Sequence, residues 1–178
     1  IYGSLIKSKG IDGLVTEYKY DCWGLVTETL YPDGNKSTVS YQWAKGSGPA
    51  NALYYVQSNF TGKPWTKTWY DALGRVLREE TVGYGGISIY TDIVYNNKGQ
   101  VVRKSSYSGG TKISEVTYTY FDDGRLKSET YSTGKTISYA YSGQTVSITT
   151  NHRTTQYTYG NWGEVKRVVE PSPGSTIT

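Results

Sequence analysis

The chain has 178 residues with 19 Lys plus Arg against 15 Asp plus Glu, a formal net charge of +4, one Cys, one His and no Met. That length fits one domain rather than two small ones and is enough to bury a real core. The basic residues are scattered almost singly, which argues against nucleic-acid binding; the lone Cys22 excludes an internal disulfide framework, and no run approaches the roughly 18 apolar residues of a membrane span.

Leu, Ile, Val and Phe are sparse, so the aromatic residues, 15% of the chain with 19 Tyr among them, must supply the missing apolar area. Few residues are strong helix formers, while Thr, Val, Tyr and 21 Gly favour strands and tight turns, and an all-β fold follows. No charged region followed by an apolar one opens the chain. It begins at Ile1 and is expected to be cut from a longer polypeptide.

In chain order, the alternating Tyr18-Lys19-Tyr20 runs into a turn spelled Tyr20-Asp21-Cys22-Trp23-Gly24-Leu25-Val26, and a shorter turn follows at Tyr31-Pro32-Asp33-Gly34. Residues about 44–66 break the rhythm as an irregular insertion, with a loop at Ala44-Lys45-Gly46-Ser47-Gly48-Pro49, a strand over Tyr54–Phe60 and a turn around Gly62. Next come Tyr70-Asp71-Ala72-Leu73-Gly74-Arg75-Val76, the looser Gly83-Tyr84-Gly85-Gly86, Tyr95-Asn96-Asn97-Lys98-Gly99-Gln100-Val101 and Tyr107-Ser108-Gly109-Gly110. A strand over Val116–Tyr120 leads to Tyr120-Phe121-Asp122-Asp123-Gly124-Arg125-Leu126, then to a turn at Tyr131-Ser132-Thr133-Gly134 and a strand over Ile137–Tyr141. Residues 149–155 read as a hairpin tip, and Tyr159-Gly160-Asn161-Trp162-Gly163-Glu164-Val165 is the last turn. Residues 1–170 then form a single repeat domain, and 171–178, with Pro171 and Pro173, form a linker or tail.

One pattern therefore occurs five times: Tyr, three residues, Gly, then usually a polar and an apolar residue. Its anchors are Tyr20 and Gly24; Tyr70, Asp71, Gly74 and Arg75; Tyr95 and Gly99; Tyr120, Gly124 and Arg125; Tyr159 and Gly163. With the shorter turns between copies, each unit of roughly 20–25 residues is a hairpin with a turn at both ends. Asp or Asn opening the loop can bond its own backbone two residues on, and Gly closing it takes the left-handed conformation of a type I turn with a bulge. Between turns the residues alternate with period two, aromatic on one face and hydroxylated on the other, as in Val116-Thr117-Tyr118-Thr119-Tyr120. Stacked hairpins should set equivalent tyrosines side by side in a ladder across an antiparallel sheet.

Little in this sequence assembles chemistry. His152 falls in the polar hairpin tip, and Cys22 fills a variable turn position. One His and one Cys cannot build a conventional transition-metal site. Asp122-Asp123-Gly124 carries the oxygen donors that calcium takes, but turn formation explains the same residues. The acids follow the repeat, whereas a catalytic pair of carboxylates should depart from it. No catalytic residue, metal or cofactor is expected. Trp65 and Trp69 share a strand face and are the candidates for contact with a sugar ring, against the plainer expectation that they extend the core.

Tyr70-Asp71-Ala72-Leu73-Gly74-Arg75-Val76, with the related copies spread from about residue 18 to 169, resembles the YD repeat of Rhs (rearrangement hotspot) proteins and their relatives in insecticidal toxin-complex C components, polymorphic toxins and teneurins. The resemblance implies a curved or spiralling sheet of β-hairpins that forms a hollow shell, with a toxin domain enclosed in some members. It also implies bacterial proteins that are secreted or held at the cell surface, with carbohydrate binding suggested for the repeats. No Asp precedes a Pro, so the self-cleavage motif of Rhs cores has no counterpart here. The expected function is a non-enzymatic structural module of a larger protein, scaffolding or forming part of an encapsulating shell. Its partners would be the rest of the parent polypeptide and an enclosed toxin domain, with self-association through the sheet edges. The alternative is a carbohydrate-binding module using exposed Trp and Tyr.

Overall fold

A computed structural model describes residues 3–170, so the expected tail at 171–178 lies outside the described residues. Fifteen strands follow one another: β1 (Lys7–Lys9), β2 (Val15–Tyr20), β3 (Val26–Leu30), β4 (Lys36–Trp43), β5 (Tyr54–Phe60), β6 (Lys63–Tyr70), β7 (Val76–Val82), β8 (Ser88–Tyr95), β9 (Val101–Ser108), β10 (Thr111–Tyr120), β11 (Leu126–Tyr131), β12 (Thr136–Ser142), β13 (Thr145–Thr150), β14 (Arg153–Tyr159) and β15 (Val165–Val169). Their order in the sheet is their order in the chain, with no crossover. The fold is the all-β antiparallel sheet of hairpins that the turn spacing predicts. The strand expected over Tyr54–Phe60 is β5 to the residue.

The chain divides into two compact units, Ile1–Ile93 with Ser106–Lys112 and Val94–Ser105 with Ile113–Thr178, the division passing through β8, β9 and β10. In the first unit β4 pairs with β5 from Ser37 opposite Phe60 to Trp43 opposite Tyr54, and β5 pairs with β6 with Tyr54 opposite Tyr70 and Tyr55 opposite Trp69. In the second, β12 and β13 are in register from Ile137 opposite Thr150 to Ser142 opposite Thr145. Period-two alternation holds: Tyr118 and Tyr120 are half-buried while Thr117 and Thr119 are exposed, and Tyr139 and Tyr141 are half-buried on either side of exposed Ala140. On the hydroxylated face, side chains meet across strands, as in Thr149 with Thr154 at 2.8 Å and Thr119 with Ser128 at 2.7 Å.

The core is thin. Among the described residues Ala44 and Trp69 are the buried apolar side chains, and none is fully enclosed. Aromatic rings instead meet in pairs on neighbouring strands: Tyr54 stacks on Tyr70 at 4.9 Å and 12°, and Tyr90 on Tyr107 at 4.7 Å and 14°. The expected ladder of equivalent tyrosines is replaced by these pairs. The cause is geometric, because equivalent residues of successive hairpins lie two strands apart, roughly 9–10 Å, beyond ring contact.

Candidate functional site

The turns explain the spelling of the repeat. Among the described residues nine loops share one pair of backbone bonds, in which the first residue donates to the carbonyl of the fifth and the fourth donates back to the first. They open at Gly10, Asp21, Tyr31, Asp71, Gly83, Asn96, Phe121, Tyr131 and Gly160, and the fourth residue is in each case a glycine at positive φ. This is the three-residue loop of a type I turn with a glycine bulge. The strand residues bracketing it are cross-strand partners: Tyr20 faces Val26, Tyr70 faces Val76, Tyr120 faces Leu126 and Tyr159 faces Val165. The tyrosine and the apolar residue six positions later recur together because the turn sets them opposite each other.

The fifth residue's N–H is left over by the turn, and a side chain takes it. Asp21, Asp71 and Asn96 at the first position accept it, from Leu25, Arg75 and Gln100. Asp12, Asp33 and Asp123 at the third position accept it equally well, from Leu14, Asn35 and Arg125. The fifth side chain then folds back on the same group: Arg75 pairs with Asp71 at 2.7 Å and Arg125 with Asp123 at 2.6 Å. The Tyr-Asp spelling is one of two solutions to one problem; the third-position aspartate is the other, and pattern matching on Tyr-Asp passes over it. Burial works to raise the Asp71 carboxyl, but the Arg75 N–H, the Arg75 side chain and the Leu73 N–H outweigh it and hold it below the ordinary range. Arg125, through its side chain and then its N–H, lowers Asp123 likewise.

The insertion has a definite job. Ala44 donates to Leu53, Leu53 donates to Tyr70, and the Ser47 hydroxyl bonds the Ala44 carbonyl, so residues 44–53 close as a compact loop at the end of β6. Gly48 lies against the Trp69 ring so closely that a Cβ there would stand 2.5 Å from it. Trp69 is left 5% exposed, with its indole N–H donating to Glu80 at 3.3 Å. Trp65 is half-buried on the same strand face, and Lys67 between them sets its ammonium 4.7 Å from the Tyr55 ring, 5.5 Å from Trp65 and 5.4 Å from Trp69. The two tryptophans thus form a cage around a lysine beneath a loop, in place of an open platform.

Open aromatic surface lies elsewhere. Trp23 from the turn between β2 and β3, Tyr41 and Trp43 from the end of β4, and Tyr54 from the start of β5 line a cleft of about 310 Å³, completed by Gln42. Trp23 is 82% and Trp43 64% exposed. The sequence hides this grouping because Trp43 and Tyr54 flank the 44–53 loop and become partners only once the β4–β5 register is known.

In the second unit Glu129 accepts from the phenols of Tyr131 and Tyr139, both at 2.9 Å. Burial, with that bond, pushes the Tyr139 phenol up to about 12. Tyr120 donates to the Val101 carbonyl and Tyr141 to that of Leu126, so in these two repeats a hydroxyl ties the first post-turn residue to a later strand. His152, at φ +65 beside Asn151 at φ +49, sits at an exposed two-residue hairpin tip, and Cys22 is exposed in its turn.

No family model and no curated protein matches this chain. Among solved structures, "Crystal Structure of TcdB2-TccC3-Cdc42" is similar to it at 12% identity and a TM-score of 0.34, covering 93% of this chain and 12% of that one. "Crystal Structure of TcdB2-TccC3-TEV" is similar at 13% identity and a TM-score of 0.36, with the same coverage. The chain therefore spans about an eighth of the length of those chains.

Proposed function

We propose that this chain is a non-enzymatic structural module, a run of YD-type hairpins within a larger secreted or surface-exposed bacterial protein, where it scaffolds or forms part of the wall of an encapsulating shell. One observation carries the reading: a single turn, with the same two backbone bonds, recurs nine times in a sheet whose strands never leave chain order. Such an arrangement grows by adding hairpins, because each strand needs only its neighbours. The side chains that would draw attention as catalysts are used by the turns themselves, as Asp71 and Asp123 are by Arg75 and Arg125. The partners of such a wall are the rest of the parent polypeptide and an enclosed toxin domain.

Deleting a whole hairpin tests the modular reading. Removing residues 71–95 joins Tyr70 to the Asn96 turn, so that β9 takes the direction and place of β7. A repeat wall tolerates this, and the expected result is a β-rich circular dichroism spectrum with a cooperative melt at somewhat lower temperature. Loss of all cooperative unfolding would show instead that the chain depends on a unique arrangement of its strands. The role in a shell is tested in the parent protein, where the same deletion should raise the protease sensitivity of whatever the wall encloses.

A further inference from the structure

Two aromatic cages are built on β4, β5 and β6, and one of them is already filled. Tyr55, Trp65 and Trp69 surround the Lys67 ammonium at 4.7–5.5 Å from their ring centres, within the roughly 6 Å at which a cation is attracted to ring faces. Tyr54 is the next residue along β5 and so faces the other side of the sheet. There it stands opposite Trp43, stacks on Tyr70, and joins Tyr41 and Trp23 around the 310 Å³ cleft. Among the described residues none of the chain's own ammonium or guanidinium groups sits over the rings of Trp23, Tyr41, Trp43 or Tyr54.

We propose that this second cage binds an organic cation from outside the chain, specifically a quaternary or N-methylated ammonium group. Three features point to that class. Four aromatic side chains from three separate segments line the cleft, and their negative ring faces attract positive charge. The fifth lining residue, Gln42, brings no charge, and its side-chain oxygen already accepts the Tyr55 hydroxyl at 2.5 Å. A primary ammonium, which needs acceptors for three N–H bonds, is poorly served by such walls, whereas methyl groups bury against them without loss. A sugar needs several polar partners beside its stacking ring, and this lining supplies few. The volume is at the small end for ligand sites, which suits a single headgroup.

The test is a titration of the whole chain followed by tryptophan fluorescence and calorimetry, with choline chloride and its neutral tert-butyl analogue as paired probes. Saturable binding of choline is expected, weaker by about tenfold for the neutral analogue because only the charge differs. Trp43→Ala and Trp23→Ala should each weaken choline by about tenfold or abolish saturation, while Trp65→Ala should leave it unchanged. Both cleft tryptophans are largely exposed, so these variants keep the wild-type circular dichroism spectrum and melt. Equal binding of the neutral analogue, saturation by maltose or N-acetylglucosamine but not by choline, or no saturation by either probe would overturn the proposal. None of those results would touch the modular reading, which the hairpin deletion tests separately.

Discussion

At the scale of single residues, the same turn bond has different value in different places because burial differs. Asp71 is 6% exposed and takes the N–H groups of Leu73 and Arg75 and the Arg75 guanidinium. Asp123 makes the matching bonds to Arg125 at an exposed turn. Asp71→Ala leaves the Leu73 and Arg75 N–H groups of a part-buried turn without their acceptor and should cost roughly 1–3 kcal/mol in urea unfolding. Asp71→Asn keeps an acceptor for those N–H groups and loses the ion pair, so it should cost less; Asp123→Ala should barely register, since water replaces what is lost. The carboxyls of Asp33, Asp71 and Asp123 are all held below their ordinary value in the folded chain. A group depressed on folding stabilises above its unfolded pKa, here about 4, and that contribution disappears as pH falls through the folded value. The melting temperature should thus fall on acidification below about pH 4, and the fall should be shallower in Asp71→Asn. An equally steep fall in that variant would place the acid sensitivity elsewhere.

At the scale of elements, two glycines show what turn and loop each require. Gly74 has φ +74 with nothing within 4 Å of a would-be Cβ, so only its backbone conformation demands glycine. Gly48 has φ +81 and also meets the Trp69 ring at 2.5–2.8 Å. Alanine at Gly74 should cost about 1–2 kcal/mol, and asparagine, which tolerates the left-handed region, should recover part of that. At Gly48 asparagine should recover nothing, because space as well as conformation is lacking, and Gly48→Ala should add a change in Trp69 emission as the ring is displaced. The contrast also marks what was legible in sequence. Turns and strands were, because Tyr-x-x-x-Gly-x-apolar encodes a local bond pattern and alternation encodes a face. The cover over Trp69 was not: Gly48 and Trp69 are 21 residues apart, and only the pairing of β5 with β6 and the closure of the 44–53 loop bring them together. For the same reason spacing puts Trp65 and Trp69 on one strand face but does not show that they surround Lys67, and Trp23, Trp43 and Tyr54 meet through register that no local pattern announces.

At the scale of the sheet, the strand order among the described residues runs from β1 to β15, each of which pairs there on one side, and the two differ in kind. The first, β1, is three residues long and reads Lys-Ser-Lys, and a short edge bearing lysines is one of the ways proteins discourage pairing. The last, β15, is longer, exposed throughout, and carries Val165, Val168 and Val169 at 53%, 47% and 38% exposure. Self-association should therefore proceed through β15, and a symmetric pairing of that strand with its copy closes a dimer and stops there. Light scattering over a concentration series should show a monomer–dimer equilibrium that Val165→Lys with Val168→Lys shifts to monomer, while Lys7→Val with Lys9→Val opens a second contact and larger species. Trp43→Ala serves as the control for association through exposed aromatic surface and should leave the equilibrium where it was. A particle that stays monomeric at the highest attainable concentration, or a dimer indifferent to charge on β15, would mean that this edge is not the one that pairs.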